Sequence, residues 1–93
     1  MNEAKRKAAM KGIDTYISQK VGDDEGRYIT YGYKNFVYLK YDNDWAHQLK
    51  PIDIINIQER IGASDVTMTA NSVTSYVYSS IGVVTTLEFT FIF

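Results

Sequence analysis

Apolar positions along the chain change their period three times, dividing it into four stretches. Over Glu3–Val21, Met10, Ile13, Ile17 and Val21 recur at helical spacing, with Ala9 and Tyr16 beside them. Lys5, Arg6, Lys7, Lys11 and Asp14 lie off that stripe, so the spacing predicts an amphipathic helix. Asn2 suits its N-cap, Glu3 its first turn and Gly22 its end, while Gly12 weakens the interior by about 1 kcal/mol relative to alanine. Val21–Gly26 then reads as a polar turn.

Arg27–Asp42 switches to period two and predicts a β-hairpin. Placing Ile29, Tyr31, Val37 and Leu39 on one face pairs Tyr31 with Val37 and Ile29 with Leu39. That register leaves a three-residue loop, Tyr33-Lys34-Asn35, and sets Gly32 opposite Phe36. The other face then carries Tyr28, Thr30, Phe36, Tyr38 and Lys40. Asn43–Lys50 is a loop containing Trp45 and His47. In Pro51–Ile61 five isoleucines favour strand by propensity, but Ile54, Ile57 and Ile61 fall at helical spacing between Pro51 and Gly62. A short helix is the expectation there.

Asp65–Phe93 alternates throughout and predicts a three-stranded antiparallel meander. Its turns are expected at Asn71-Ser72 and at Ser80-Ile81-Gly82, which sets Leu87 opposite Ser75 and Phe89 opposite Val73. The reverse face carries Thr67, Thr69, Thr74, Tyr76, Tyr78, Val84, Thr86, Glu88, Thr90 and Ile92. The whole is expected to be one α+β domain over residues 1–93: helix, hairpin, short helix, meander, with the helices on one face of a mostly antiparallel sheet.

Composition narrows the function classes. The chain has 93 residues, 45% hydrophobic and 14% aromatic, which is enough for one modest core. It has no cysteine and one histidine, so thiolate chemistry, cysteine-based metal sites and histidine-pair chemistry are excluded. Formal charge is −1, which provides no global field for nucleic acid or an anionic membrane. The total hides an uneven distribution. Residues 1–20 carry a net +3, Asp23-Asp24-Glu25 is acidic, and from Val66 to Phe93 Glu88 is the only charged side chain. The apolar tail Ile81–Phe93 is too short and too interrupted to span a bilayer as a helix, and a cytoplasmic, membrane-free protein is expected.

Sites for chemistry are few. His47, near Asp44 and Trp45, has no nucleophile motif to serve, and a loop histidine is the simpler account. Asp42-Asn43-Asp44 opens like a calcium loop, but Ala46, His47 and Asp53 stand where a third ligand, a turn glycine and the distal glutamate belong. Asp23-Asp24-Glu25 is better read as a solvated turn than as a cation site. No phosphate-binding glycine pattern occurs, and neither metal nor cofactor is implied. The run Gly32–Leu39 departs from the RNA-binding strand of the RRM family at three points. Tyr31 precedes the glycine where a basic residue belongs, Lys34-Asn35 inserts an extra position, and the order of elements differs. No family is assigned on it.

What remains points to binding. Tyr28, Phe36, Tyr38, Lys40 and Trp45 are the candidate partner-binding residues. Tyr76, Tyr78, Val84, Thr86 and Ile92 form a candidate oligomer interface, since tyrosine is enriched and lysine and glutamate are depleted at interfaces. The last strand, Phe89-Thr90-Phe91-Ile92-Phe93, is expected to be an edge with no charge to block pairing. Lys5, Arg6, Lys7 and Lys11 make a basic patch. The expected function is a non-enzymatic protein-binding module of inhibitor or regulator type, of the kind phages and mobile elements encode in number, self-associating as a dimer or larger. The alternative is a nucleic-acid binder using the aromatic face and the basic helix.

Overall fold

The six elements of the computed structural model are α1 (Glu3–Val21), β1 (Tyr28–Tyr33), β2 (Phe36–Asp42), α2 (Pro51–Ile61), β3 (Asp65–Val77) and β4 (Ser80–Ile92). It describes residues 1–22 and 27–93; the expected acidic turn Asp23-Asp24-Glu25 lies outside the described residues.

Both helices start and stop where their caps dictate. The Asn2 side chain accepts from the Lys5 amide at 2.9 Å, and Gly22 closes α1 by donating its N–H to the Ser18 carbonyl. In α2, Pro51 occupies the first turn, the Lys50 amide donates to the Asp53 carboxylate at 2.8 Å, and Gly62 ends the helix. Gly12 sits mid-helix for a packing reason: a Cβ there would lie 3.0 Å from Ile61 Cγ2, so the glycine lets the end of α2 approach α1.

The strands form one antiparallel sheet in the order β1-β2-β4-β3. Val37, Leu39, Tyr41, Phe89 and Phe91 line one face and are buried against Ala9, Ile13 and Ile17 of α1 and Ile54 and Ile57 of α2. This is the expected α+β class with both helices on one side.

Three details correct the strand expectations. The first hairpin turns on two residues, Lys34-Asn35, so Tyr31 faces Tyr38, Ile29 faces Lys40 and Gly32 faces Val37. Ile29, Tyr31 and Tyr33 therefore share the open face with Phe36, Tyr38 and Lys40, while Tyr28, Thr30 and Gly32 face the helices. The cause is crowding under α1: a Cβ on Gly32 would meet the Arg6 stem at 3.0 Å, and Arg6 continues over the turn to donate to the Lys34 carbonyl at 3.1 Å. A side chain there would have to push the Arg6 stem aside.

Second, Asp65–Phe93 forms two long strands, not three. Asn71 and Ser72 continue the ladder opposite Thr86 and Thr85, where the Ser72 and Thr85 hydroxyls hydrogen-bond at 2.9 Å. The turn is Tyr78-Ser79, both left-handed at φ 50° and 64°. Leu87 consequently faces Ala70 and Phe89 faces Met68. Third, β4 is an interior strand between β2 and β3, so the edges of the sheet are β1 and β3.

Lys34 also holds a positive φ, 53°. A side chain there costs about 1 kcal/mol that glycine avoids, partly offset by the entropy glycine loses on folding and by loss of the cation–π contact to Tyr33. Lys34→Gly is expected to stabilise the fold by about 0.5 kcal/mol in urea denaturation, since the Arg6 hydrogen bond goes to the backbone and survives.

Candidate interaction surface

Two surfaces lack a covering layer. One is the sheet face opposite the helices, where the shifted hairpin register gathers aromatics. The Tyr31 and Tyr38 rings stack with centroids 4.5 Å apart, and Phe36 lies 6.2 Å from Tyr38. Tyr31 donates its hydroxyl to Glu88 Oε2 at 2.6 Å. That hydrogen bond to a carboxylate, with burial second, pushes the Tyr31 hydroxyl up to about 12. Lys40 stands in register with Glu88 across β2 and β4. The face is thus amphipathic, with a carboxylate at its centre.

The other surface is the far half of the β3–β4 hairpin. β2 pairs with β4 only from Thr86 to Ile92, so Ser72–Thr85 projects as a two-stranded arm beyond the four-stranded part. The molecule measures 45 × 28 × 22 Å. The arm contains no charged residue. Val73, Tyr76, Tyr78, Ile81, Val83 and Val84 are all exposed along it.

A shallow groove of about 340 Å³ runs from the root of this hairpin to α2, walled by Pro51, Ile54, Ile55, Met68, Leu87 and Phe89. Tyr41 lies at its floor. Its hydroxyl is buried, and the Leu49 backbone lies near it without meeting hydrogen-bond geometry; burial pushes the hydroxyl up, partly opposed by that backbone group.

The candidate partner residues are divided by this geometry. Phe36, Tyr38 and Lys40 share the open face, whereas Tyr28 and Trp45 lie on the helix side. Trp45 is buried, with Tyr28 and Tyr41 rings at 5.9 and 5.4 Å. The two-residue turn moves Tyr28 across the sheet, and Trp45 fills the end of the core that α1 and α2 leave open. Tyr31, Tyr33 and Ile29 join the open face in their place.

The proposed oligomer residues are also split. Val84, Thr86 and Ile92 lie on the open face, Tyr76 faces the helix side, and Tyr78 is the turn itself. The basic patch is dispersed. Arg6 is half-buried and donates to the Met1 and Lys34 carbonyls. Lys7 pairs with Glu3 at 3.4 Å, Lys11 is exposed, and Lys5 borders a separate depression beside Arg60.

The loop groups do not converge on a reaction centre. His47 is exposed and meets the edge of Trp45, with ring centroids 6.0 Å apart. Asp44 forms an ion pair with Arg27 at 3.6 Å, and the Gln48 amide bridges the Asp42, Asn43 and Trp45 carbonyls. Among the described residues, no three His, Asp or Glu side chains group as metal ligands, and no helix is long and apolar enough to cross a membrane. The bare edge of the sheet is β3, where the meander pattern points to β4; the charge-free run from Val66 to Leu87 marks the β3–β4 hairpin in the sequence without telling which of its strands is the edge.

No known family, curated protein or solved structure matches the chain.

Proposed function

We propose that the protein is a non-enzymatic protein-binding module, of the inhibitor or regulator kind, that works in the cytoplasm and self-associates through its β-sheet. The observation that carries this is the exposed, charge-free β3–β4 arm. Its exposed apolar side chains lie on both faces of the ribbon, and clustered exposed apolar side chains mark protein contact sites. The amphipathic Tyr31/Tyr38/Phe36 face is a second surface, suited to a heterologous protein partner rich in polar side chains. Absence of cysteine fits a reducing compartment.

The nucleic-acid alternative gains no support from the geometry. Glu88 sits in the middle of the aromatic face, where it would repel phosphates; Arg6 and Lys7 meet that face only at its Tyr31 border, where Arg6 is held by the Met1 and Lys34 carbonyls and Lys7 by Glu3, and Lys5 borders a separate depression.

Size exclusion coupled to light scattering at tens of micromolar is expected to give a dimer or larger species. A clean monomer at that concentration would overturn the self-association.

A further inference from the structure

We infer that the bare edge of β3 is a homotypic joint. Two copies pair their β3 strands antiparallel about Asn71, forming one continuous eight-stranded sheet with all four helices on the same face. The inference rests on the self-association proposed above and names its site and register.

β3 runs for 13 residues and pairs on one side only, with β4. Sheet edges are ordinarily guarded by charges, prolines, bulges or shortness. From Val66 to Val77 β3 carries no charge and no proline, and its pairing with β4 is one-to-one without a bulge. The opposite edge is guarded. β1 has six residues, is flanked by Arg27 and Lys34, and is crossed at Gly32 by the Arg6 stem.

The occupant is a second copy because β3 is complementary to itself. Residues directly opposite each other in an antiparallel pair point to the same face. The register that uses the strand's full length sets Asn71 opposite the partner's Asn71. It sets Val66 opposite the partner's Tyr76, Met68 opposite the partner's Thr74, and Thr69 opposite the partner's Val73. Even-numbered residues then stay on the helix side in both copies. No two like charges meet, and Asp65, the one charged residue, lies at the end of the ladder.

This arrangement also covers the helix-side face of each arm next to the joint. Each arm lies alongside the root of the other copy's β3. Its Tyr76 reaches the rim of the groove between Met68 and Ile55, where the partner's α2 overhangs the sheet. Met68, Tyr76, Ile81 and Val83 are 58%, 70%, 72% and 69% exposed. Met68 and Tyr76 on the joined strand, with the strand backbone, form the centre of this interface, and Ile81 and Val83 on β4 lie one strand further in at its margin.

The chain has no cysteine, so engineered thiols report the register directly. In Asn71→Cys the two introduced thiols face each other across the two-fold axis, with Cα atoms about 4.5–5.5 Å apart, within disulfide range. In Tyr78→Cys, at the arm tip, they are about 45 Å apart. Mild oxidation is expected to convert most of Asn71→Cys to covalent dimer and to leave Tyr78→Cys monomeric on a non-reducing gel. Linking of Tyr78→Cys without Asn71→Cys overturns the register. Neither variant linking, while the parent scatters as a dimer, overturns the β3 joint but leaves self-association standing. A monomeric parent overturns both.

A charge pair supplies a second measurement. Val73→Glu is expected to raise the dimer dissociation constant at least tenfold. Adding Thr69→Lys restores it, because the introduced lysine faces the partner's introduced glutamate and its own Glu88 across the sheet. Far-UV circular dichroism checks that both variants fold. An unchanged constant in Val73→Glu, or no recovery in the double variant, counts against the joint.

Discussion

Phe91→Ala is expected to destabilise the protein by about 4 kcal/mol, the largest effect of any single truncation. Phe91 is on β4, the interior strand, with Val37 of β2 on one side and Val66 of β3 on the other. Its side chain is fully buried, the largest of the side chains that are, in a cluster with Ile13, Ile17 and Ile57. Removing the ring loses its transfer free energy and leaves a cavity that both neighbouring strands and both helices border. None of them can move in without breaking another contact, so little of the cavity can collapse. A domain this small has roughly 5–15 kcal/mol of stability, so the variant loses a large fraction of it. Its midpoint of thermal unfolding is expected to fall by about 15–30 °C. Tyr78→Ala is the comparison: Tyr78 is 96% exposed at the arm tip, and its removal is expected to shift stability by less than about 0.5 kcal/mol. Circular dichroism melts of the two variants side by side check the contrast. A Phe91→Ala protein as stable as the parent would mean that the core is not centred on β4.

The helices and the sheet differ in how far the sequence determines them, and the reason is visible in particular residues. Asn2, Gly22, Pro51 and Gly62 act locally, each within a turn of its own helix, and both helix spans follow from them. Strand phase is a tertiary matter. Ile29 and Tyr31 look like a core face, but β1 is an edge strand pressed under α1, and on the helix side of its C-terminal half the Arg6 stem lies against Gly32. Nothing within the hairpin records that crowding; its cause, Arg6, is more than twenty residues away. The β3–β4 turn is hidden for a related reason. Tyr78 and Ser79 adopt positive φ without being residues that favour it, while Asn71-Ser72 and Gly82, which do resemble turn residues, continue the ladder. A phase error of one residue moves every side chain across the sheet. That is why the alternation alone places Tyr28 on the open surface and leaves Tyr31 apart from Glu88. The candidate surface is legible in a coarser way: the charge-free run from Val66 to Leu87 does not depend on phase, and it marks the arm whatever the register.

Asp53→Asn is expected to cost about 3 kcal/mol at pH 7 and distinctly less near pH 3. Among the described residues Asp53 is the charged residue that is buried, and it ties α1 to α2. Its carboxylate accepts from the Tyr16 hydroxyl at 2.8 Å, from the Lys50 amide at 2.8 Å and from the Lys20 ammonium, while the Asn56 amide donates to the Tyr16 hydroxyl at 3.2 Å. Burial by itself would raise the carboxyl's pKa. The Lys20, Lys50 and Tyr16 hydrogen bonds, with the nearby Lys20 charge, outweigh it and hold the group below its ordinary value. A carboxylate lowered on folding contributes its full stabilisation above the unfolded-state value. That contribution is lost as pH falls below about 4 and through the folded-state value. The amide that replaces the carboxylate keeps its shape and can still accept one or two of the donors. It loses the charge-assisted bond to Lys20, which is about one-third exposed and recovers part of its hydration, and it weakens the α2 cap. Urea denaturation of parent and variant at pH 7 and pH 3 measures both gaps. A gap of equal size at the two pH values would show that Asp53 acts through shape and neutral hydrogen bonds, and that the ionised carboxylate is not what joins the helices.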